Sequence, residues 1–231
     1  MKKVQHPIDT GISWYLVTLL LLGMSGLWGC QKMFIETYGY GDIPSPGDNR
    51  YDQGFIVRMP YNAPSITQSF SPKVDSDSDY YSDYRTSPAH DGIDIIALSN
   101  TPVLAAAPGK VVHSHLTIMR GNRVVVEHGL DTHGNLIRTE YNHLSQRLVK
   151  NGTMVARGEP LGTLGMTGLT GGFPHLHYMV TLILNPGPEE KVIPTDPHLF
   201  WAEGKGKVTC LEKETGKNLA PFQMTYPLLC R

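Results

Sequence analysis

At 231 residues the chain can bury one full hydrophobic core with tails to spare. Its formal net charge of -1 excludes the strongly basic face on which nucleic-acid binding rests. The 24 glycines and 17 prolines disfavour long helices, and the short runs between them are rich in Val, Ile, Thr and Tyr, so the predicted class is mainly β.

The chain opens on a targeting segment. Lys2 and Lys3 precede a largely apolar run from Ile12 to Trp28, shorter than the ~20 residues a spanning helix needs. Its end, Leu27-Trp28-Gly29-Cys30, resembles the bacterial lipoprotein signal, with Trp28 standing where that pattern has a small residue. The resemblance implies a signal peptide over 1–29 and a lipidated Cys30 that anchors the mature chain in a membrane. Gln31 after the cysteine suits an outer membrane, facing the periplasm. Export also makes Cys210 and Cys230 the one intramolecular pair left, a predicted disulfide contributing about 3 kcal/mol in the chain-entropy model.

Residues 30–58 read as a flexible tether centred on Ile43-Pro44-Ser45-Pro46-Gly47-Asp48, polar and rich in turn formers. A first strand is expected over Ser65–Phe70, followed by a polar loop from Ser71 to Ala89. Asp75, Asp77 and Asp79 in that loop have the D-x-D-x-D spacing of a calcium loop. Tyr80 and Thr86 replace its glycine and bidentate glutamate, so it reads as a solvated loop over the site. Strands are then expected at Pro102–Ala106, Gly109–Ser114, Arg123–Glu127, Ile137–Tyr141 and Leu176–Leu184, between Gly-, Pro- or Asn-containing turns. Such repeated short strands point to an antiparallel sandwich or barrel-like core over 59–200, with 201–231 as a disulfide-clipped extension.

Two motifs carry the chemistry. One is His90-Asp91-Gly92-Ile93-Asp94; the other is His175-Leu176-His177. Histidines one residue apart on a strand point to the same face, and zinc takes imidazole nitrogen and carboxylate oxygen. The His113-Ser114-His115 repeat of that spacing lies inside an ordinary strand, so it reads as structural or surface, as do His128, His133 and His198. The glycine-rich stretch Gly165–Gly172 ahead of His175 lets backbone and substrate approach closely.

The run His90–Ile95 with Thr101–Val112 resembles the lysostaphin-type (LytM-like) zinc metallopeptidases. The likeness continues through Val126–Gly129, Tyr141–Ser145, Val155–Gly162, Thr167-Gly168 and Pro174–His177, in the order the family uses. It implies a two-sheet antiparallel β architecture, the duplicated hybrid motif of that catalytic domain, with a narrow groove. It also implies one zinc ion per chain and peptidoglycan as substrate. Position by position, His90, Asp94 and His177 match the metal ligands, and His175 and His143 the two catalytic histidines. Tyr84 stands where some members place a substrate-facing tyrosine, although the compact turn those members use ahead of the first ligand is missing. Three ligands leave zinc an open position, where a bound water approaches a pKa near ~7, and unligated imidazole, titrating near ~6.5, can carry its proton. His175 is then the general base and His143 its partner, with the exchange of these two roles left open. The expected function is hydrolysis of peptide bonds in peptidoglycan cross-links or stem peptides. The alternative is an envelope-anchored, non-catalytic regulator of cell-wall amidases. The filled ligand and histidine positions disfavour it, while leaving room for a regulatory protein partner.

Overall fold

The computed structural model describes residues 49–52, 55–70, 90–184, 186–187, 190–212 and 222–231. The signal peptide, Cys30, most of the tether, the acidic loop and Tyr84 lie outside them. In chain order the strands are β1 (Asn49–Asp52), β2 (Phe55–Arg58), β3 (Ile66–Gln68), β4 (Ile93–Ile95), β5 (Pro102–Leu104), β6 (Gly109–Thr117) and β7 (Gly121–Leu130). There follow β8 (Leu136–Leu144), β9 (Gln146–Arg147), β10 (Met154–Val155), β11 (Pro160–Thr163), β12 (Leu176–Leu184) and β13 (Lys191–Thr195). The expected mainly-β class and antiparallel two-sheet build are borne out. One sheet runs β10-β6-β7-β8-β12-β4-β3, with β13 sharing the β4 edge of β12, and a smaller one runs β5-β11-β9.

Period-two alternation sets the two faces of the large sheet. On β12, Leu176, Tyr178 and Val180 turn to the core, as do Ile137 and Tyr141 on β8. His177 and Met179, and Arg138, Glu140 and Asn142 opposite, therefore leave from the other face. The small sheet supplies Val103 and Leu161 to the same core.

Core contacts reach past both ends of the 59–200 range. Val57 is fully buried, and Arg58 exchanges backbone hydrogen bonds with Gly206 and Val208 at 2.7 and 3.0 Å, so the end of the tether belongs to the fold. The local reason is Phe55-Ile56-Val57, an apolar and β-branched run that pairs as a strand. At the other end, Trp201, Val208, Met224, Tyr226 and Leu228 are core residues rather than parts of an appended clip. The disulfide Cys210–Cys230 is formed, with Cα atoms 5.9 Å apart.

Candidate metal centre

β4 and β12 pair with Asp94 directly opposite His177, so both side chains leave the same face of the sheet. Gly92 permits the approach: a Cβ there would lie 2.5 Å from the Tyr178 carbonyl oxygen and 2.9 Å from Met179 Cγ. His90 enters from the residues just ahead of β4. Its Nε2 is 3.1 Å from His177 Nδ1 and 3.2 Å from Asp94 Oδ1, which is 2.8 Å from His177 Nδ1. Ligand edges around a tetrahedral zinc with bonds of ~2.0–2.1 Å are about 3.3 Å, so the donor set His90, Asp94 and His177 fits one such ion in kind and in spacing.

The remaining ring nitrogens settle how each imidazole presents itself. A carbonyl oxygen only accepts, so His90 Nδ1, 2.9 Å from Ser69 O, carries a hydrogen and leaves the Nε2 lone pair facing the cluster. By the same argument His175 donates Nδ1–H to Phe173 O at 3.1 Å, and His143 donates Nδ1–H to Thr167 O at 2.8 Å. Each keeps Nε2 as an acceptor. Their rings lie 4.8 Å apart, and the His143 ring is 5.9 Å from that of His177. Strict alternation along β8 would aim the residue after Asn142 into the core. His143 instead has φ 62°, in the left-handed region, which turns its ring to the site. Its backbone N–H is caught by Arg120 O at 2.8 Å.

Electrostatics divides the histidines. Burial, and then the neighbouring His175 and His177, push His143 down to about 4 against the pull of its Thr167 bond. Burial also lowers His175, with Asp94 partly opposing. Both are therefore neutral proton acceptors near pH 7. His177 goes the other way: burial would lower it, but the Asp91 and Asp94 carboxylates hold it above the usual range. Asp94 and Asp91 resist burial and are held well below the ordinary carboxylate range, first by His177, with His90 assisting at Asp94 and Arg120 at Asp91.

The structure thus gathers His90, Asp94, His177, His175 and His143. His113 is exposed, His133 lies on a surface turn, and His128 and His198 bond elsewhere, so none of these joins the cluster. Sequence reasoning missed Asp91 and Arg120. Asp91 Oδ1 lies 3.0 Å from His177 Nε2, and the carboxylate is ion-paired with Arg120 across 29 positions of sequence. Asp91 was open to notice beside His90; nothing in the turn around Arg120 announces its partner.

Residues 88–187 match peptidase family M23. The chain is 35% identical over 142 residues to the peptidoglycan DD-endopeptidase ShyC of Vibrio cholerae, covering 56% of this chain and 29% of that relative. It is 43% identical over 89 residues to the peptidoglycan DD-endopeptidase ShyA of the same organism, covering 38% of this chain and 19% of that one. The chain spans less than a third of the length of these relatives. The catalytic domain of lysostaphin from Staphylococcus simulans aligns with a TM-score of 0.43 at 26% identity, over 58% of this chain and 89% of that domain.

Proposed function

We propose that this chain, whose residues 88–187 match peptidase family M23, is a zinc-dependent endopeptidase that hydrolyses peptide bonds of peptidoglycan. The observation that carries the reading is the triangle of His90 Nε2, Asp94 Oδ1 and His177 Nδ1, edged by two imidazoles whose tautomers leave Nε2 open. The peptidoglycan substrate is supported by the similarity to ShyC and ShyA, both peptidoglycan DD-endopeptidases.

A zinc ion held by His90, Asp94 and His177 supplies Lewis acidity, acidifying water and polarising the scissile carbonyl. The protein's own groups do the rest. His175 Nε2 takes a proton from the attacking water, and the nitrogen of the breaking C–N bond receives a proton as it leaves, giving a carboxylate and an amine. His143 Nε2, a lone pair across from His175, can receive that proton in turn and, once carrying it, stabilises the developing oxyanion or passes it to the amine. His175 and His143 can exchange these roles. The leader and Cys30 support residence in the envelope, anchored by lipid at the outer membrane and facing its substrate.

The direct test incubates the chain, purified in detergent, with cross-linked peptidoglycan, with and without chelator, and identifies released fragments by mass. Chelator-sensitive loss of cross-linked fragments is expected, and the fragment masses name the bond. Intact peptidoglycan after exposure to zinc-loaded protein would overturn the assignment.

A further inference from the structure

We propose that Asp91, braced by Arg120, is a positioning residue that fixes His177 for metal binding; the inference rests on the zinc reading above. The two nitrogens of His177 face opposite ways. Nδ1 belongs to the donor triangle, 2.8 Å from Asp94 Oδ1 and 3.1 Å from His90 Nε2. Nε2 points out of it, 3.0 Å from Asp91 Oδ1. Asp91 therefore stands behind the ring and is not itself a ligand. An imidazole that gives its Nδ1 lone pair to a cation keeps its hydrogen on Nε2, and the Asp91 carboxylate accepts that hydrogen. This locks the ring about its side-chain torsions and makes Nδ1 a stronger donor.

The contrast with the other site histidines singles this contact out. His90, His143 and His175 each give their second nitrogen to a neutral backbone carbonyl, of Ser69, Thr167 and Phe173. Within the cluster, His177 is the histidine backed by an anion. Asp91 is half-exposed, and an unbraced carboxylate there would swing toward water. Arg120 prevents that with a two-nitrogen grip, Nη2 on Oδ2 and Nη1 3.3 Å from Oδ1. Arg120 is itself anchored: its N–H reaches Thr117 Oγ1 at 3.0 Å, and its carbonyl holds the His143 N–H at 2.8 Å. One turn between β6 and β7 thereby ties the ligand side of the site to the histidine side.

The test measures zinc affinity of the intact chain, stripped and then titrated against a chromophoric chelator. Asp91→Ala should weaken zinc binding by about 10- to 100-fold, the usual effect of losing such a partner. Asp91→Asn, which keeps an acceptor oxygen without the charge, should fall between Asp91→Ala and the parent. Arg120→Ala should weaken binding less than Asp91→Ala, Arg120→Lys should restore part of that loss, and the Arg120 effect should vanish in the Asp91→Ala background. Parent-like affinity in Asp91→Ala overturns the proposal, as does an Arg120→Ala loss that persists undiminished without Asp91. Melting of the zinc-free proteins separates a folding defect. Should Asp91→Ala not fold, Asp91→Asn and Arg120→Ala decide, and parent-like affinity in both overturns it. A parent chain that binds no zinc refutes the metal reading itself, whereas zinc binding that ignores Asp91 refutes this inference alone.

Discussion

At the scale of single residues, the histidines differ in what removing them should do. His90 and Asp94 offer their atoms to the donor triangle, whereas His175 Nε2 stands 3.8 Å from Asp94 Oδ1, at its edge. His175→Ala should therefore keep zinc within a few-fold of the parent. It should lose peptidoglycan cleavage by a factor on the order of 10²–10⁴, the range for a general acid or base. His90→Ala and Asp94→Ala should lose zinc and cleavage together. Paired measurements of bound zinc by elemental analysis and of fragment release make the comparison, and full cleavage by His175→Ala would remove the mechanism. The convergence of His90, Asp94 and His177 was legible through the family resemblance, whereas spacing alone placed only His175 and His177 on a common face. The grip of Arg120 on Asp91 was not, since an ion pair across such a distance leaves no period or spacing to read.

At the scale of elements, the run of Leu176–Leu184 was legible to the residue, because Pro174 bounds it and its apolar alternation is unbroken. The neighbouring strands were placed but foreshortened: β6 extends to Thr117 and β8 to Leu144, past the polar residues at which propensity fades. Pairing, not propensity, carries them on. Between β7 and β8 that pairing brings His128 into a polar chain. Its Nδ1–H donates to Pro108 O at 2.7 Å, Nε2 meets Thr139 Oγ1 at 2.8 Å, and Thr139 lies 3.1 Å from the Tyr141 hydroxyl, which accepts from Ala106 N–H. Burial pushes His128 down to about 4. Below the unfolded value near ~6.5 the unfolded chain binds a proton that the folded chain refuses, so this group costs stability as pH falls toward 4. In zinc-free protein, His128→Gln removes the term while leaving the other histidines in place. The stability advantage of the parent over His128→Gln in urea unfolding should shrink by about 2 kcal/mol between pH 7.5 and 4.5. A pH-independent gap would mean that His128 is not held neutral.

At the scale of the whole molecule, the surprise is the C-terminal segment. Read along the chain, residues 222–231 follow a polar stretch and carry few strand formers, so nothing local marks them as core. The structure runs them across the domain as irregular backbone held by partners distant in sequence. Thr225 N–H reaches Ala106 O at 2.9 Å, Pro227 O accepts from Leu104 N–H at 2.8 Å, and the Tyr226 hydroxyl donates to Pro64 O at 2.7 Å. The Arg157 guanidinium spans both sides, donating to Ala106 O and Gln223 O at 2.9 Å each. Met224, Tyr226 and Leu228 are fully buried, and Trp201 sits 5.9 Å ring to ring from Tyr226. Fully burying side chains of this kind contributes about 1.5–3 kcal/mol each, so the segment outweighs the disulfide that pins it, worth about 3 kcal/mol. Two consequences separate. Cys210→Ser with Cys230→Ser should lower the melting temperature by several degrees yet leave a cooperative transition, because the apolar contacts remain. Ending the chain after residue 212 strips that side of the core and should abolish cooperative unfolding by calorimetry, even though the metal-site residues are all retained. A clipped-on appendage would behave oppositely, with truncation costing no more than the loss of the disulfide.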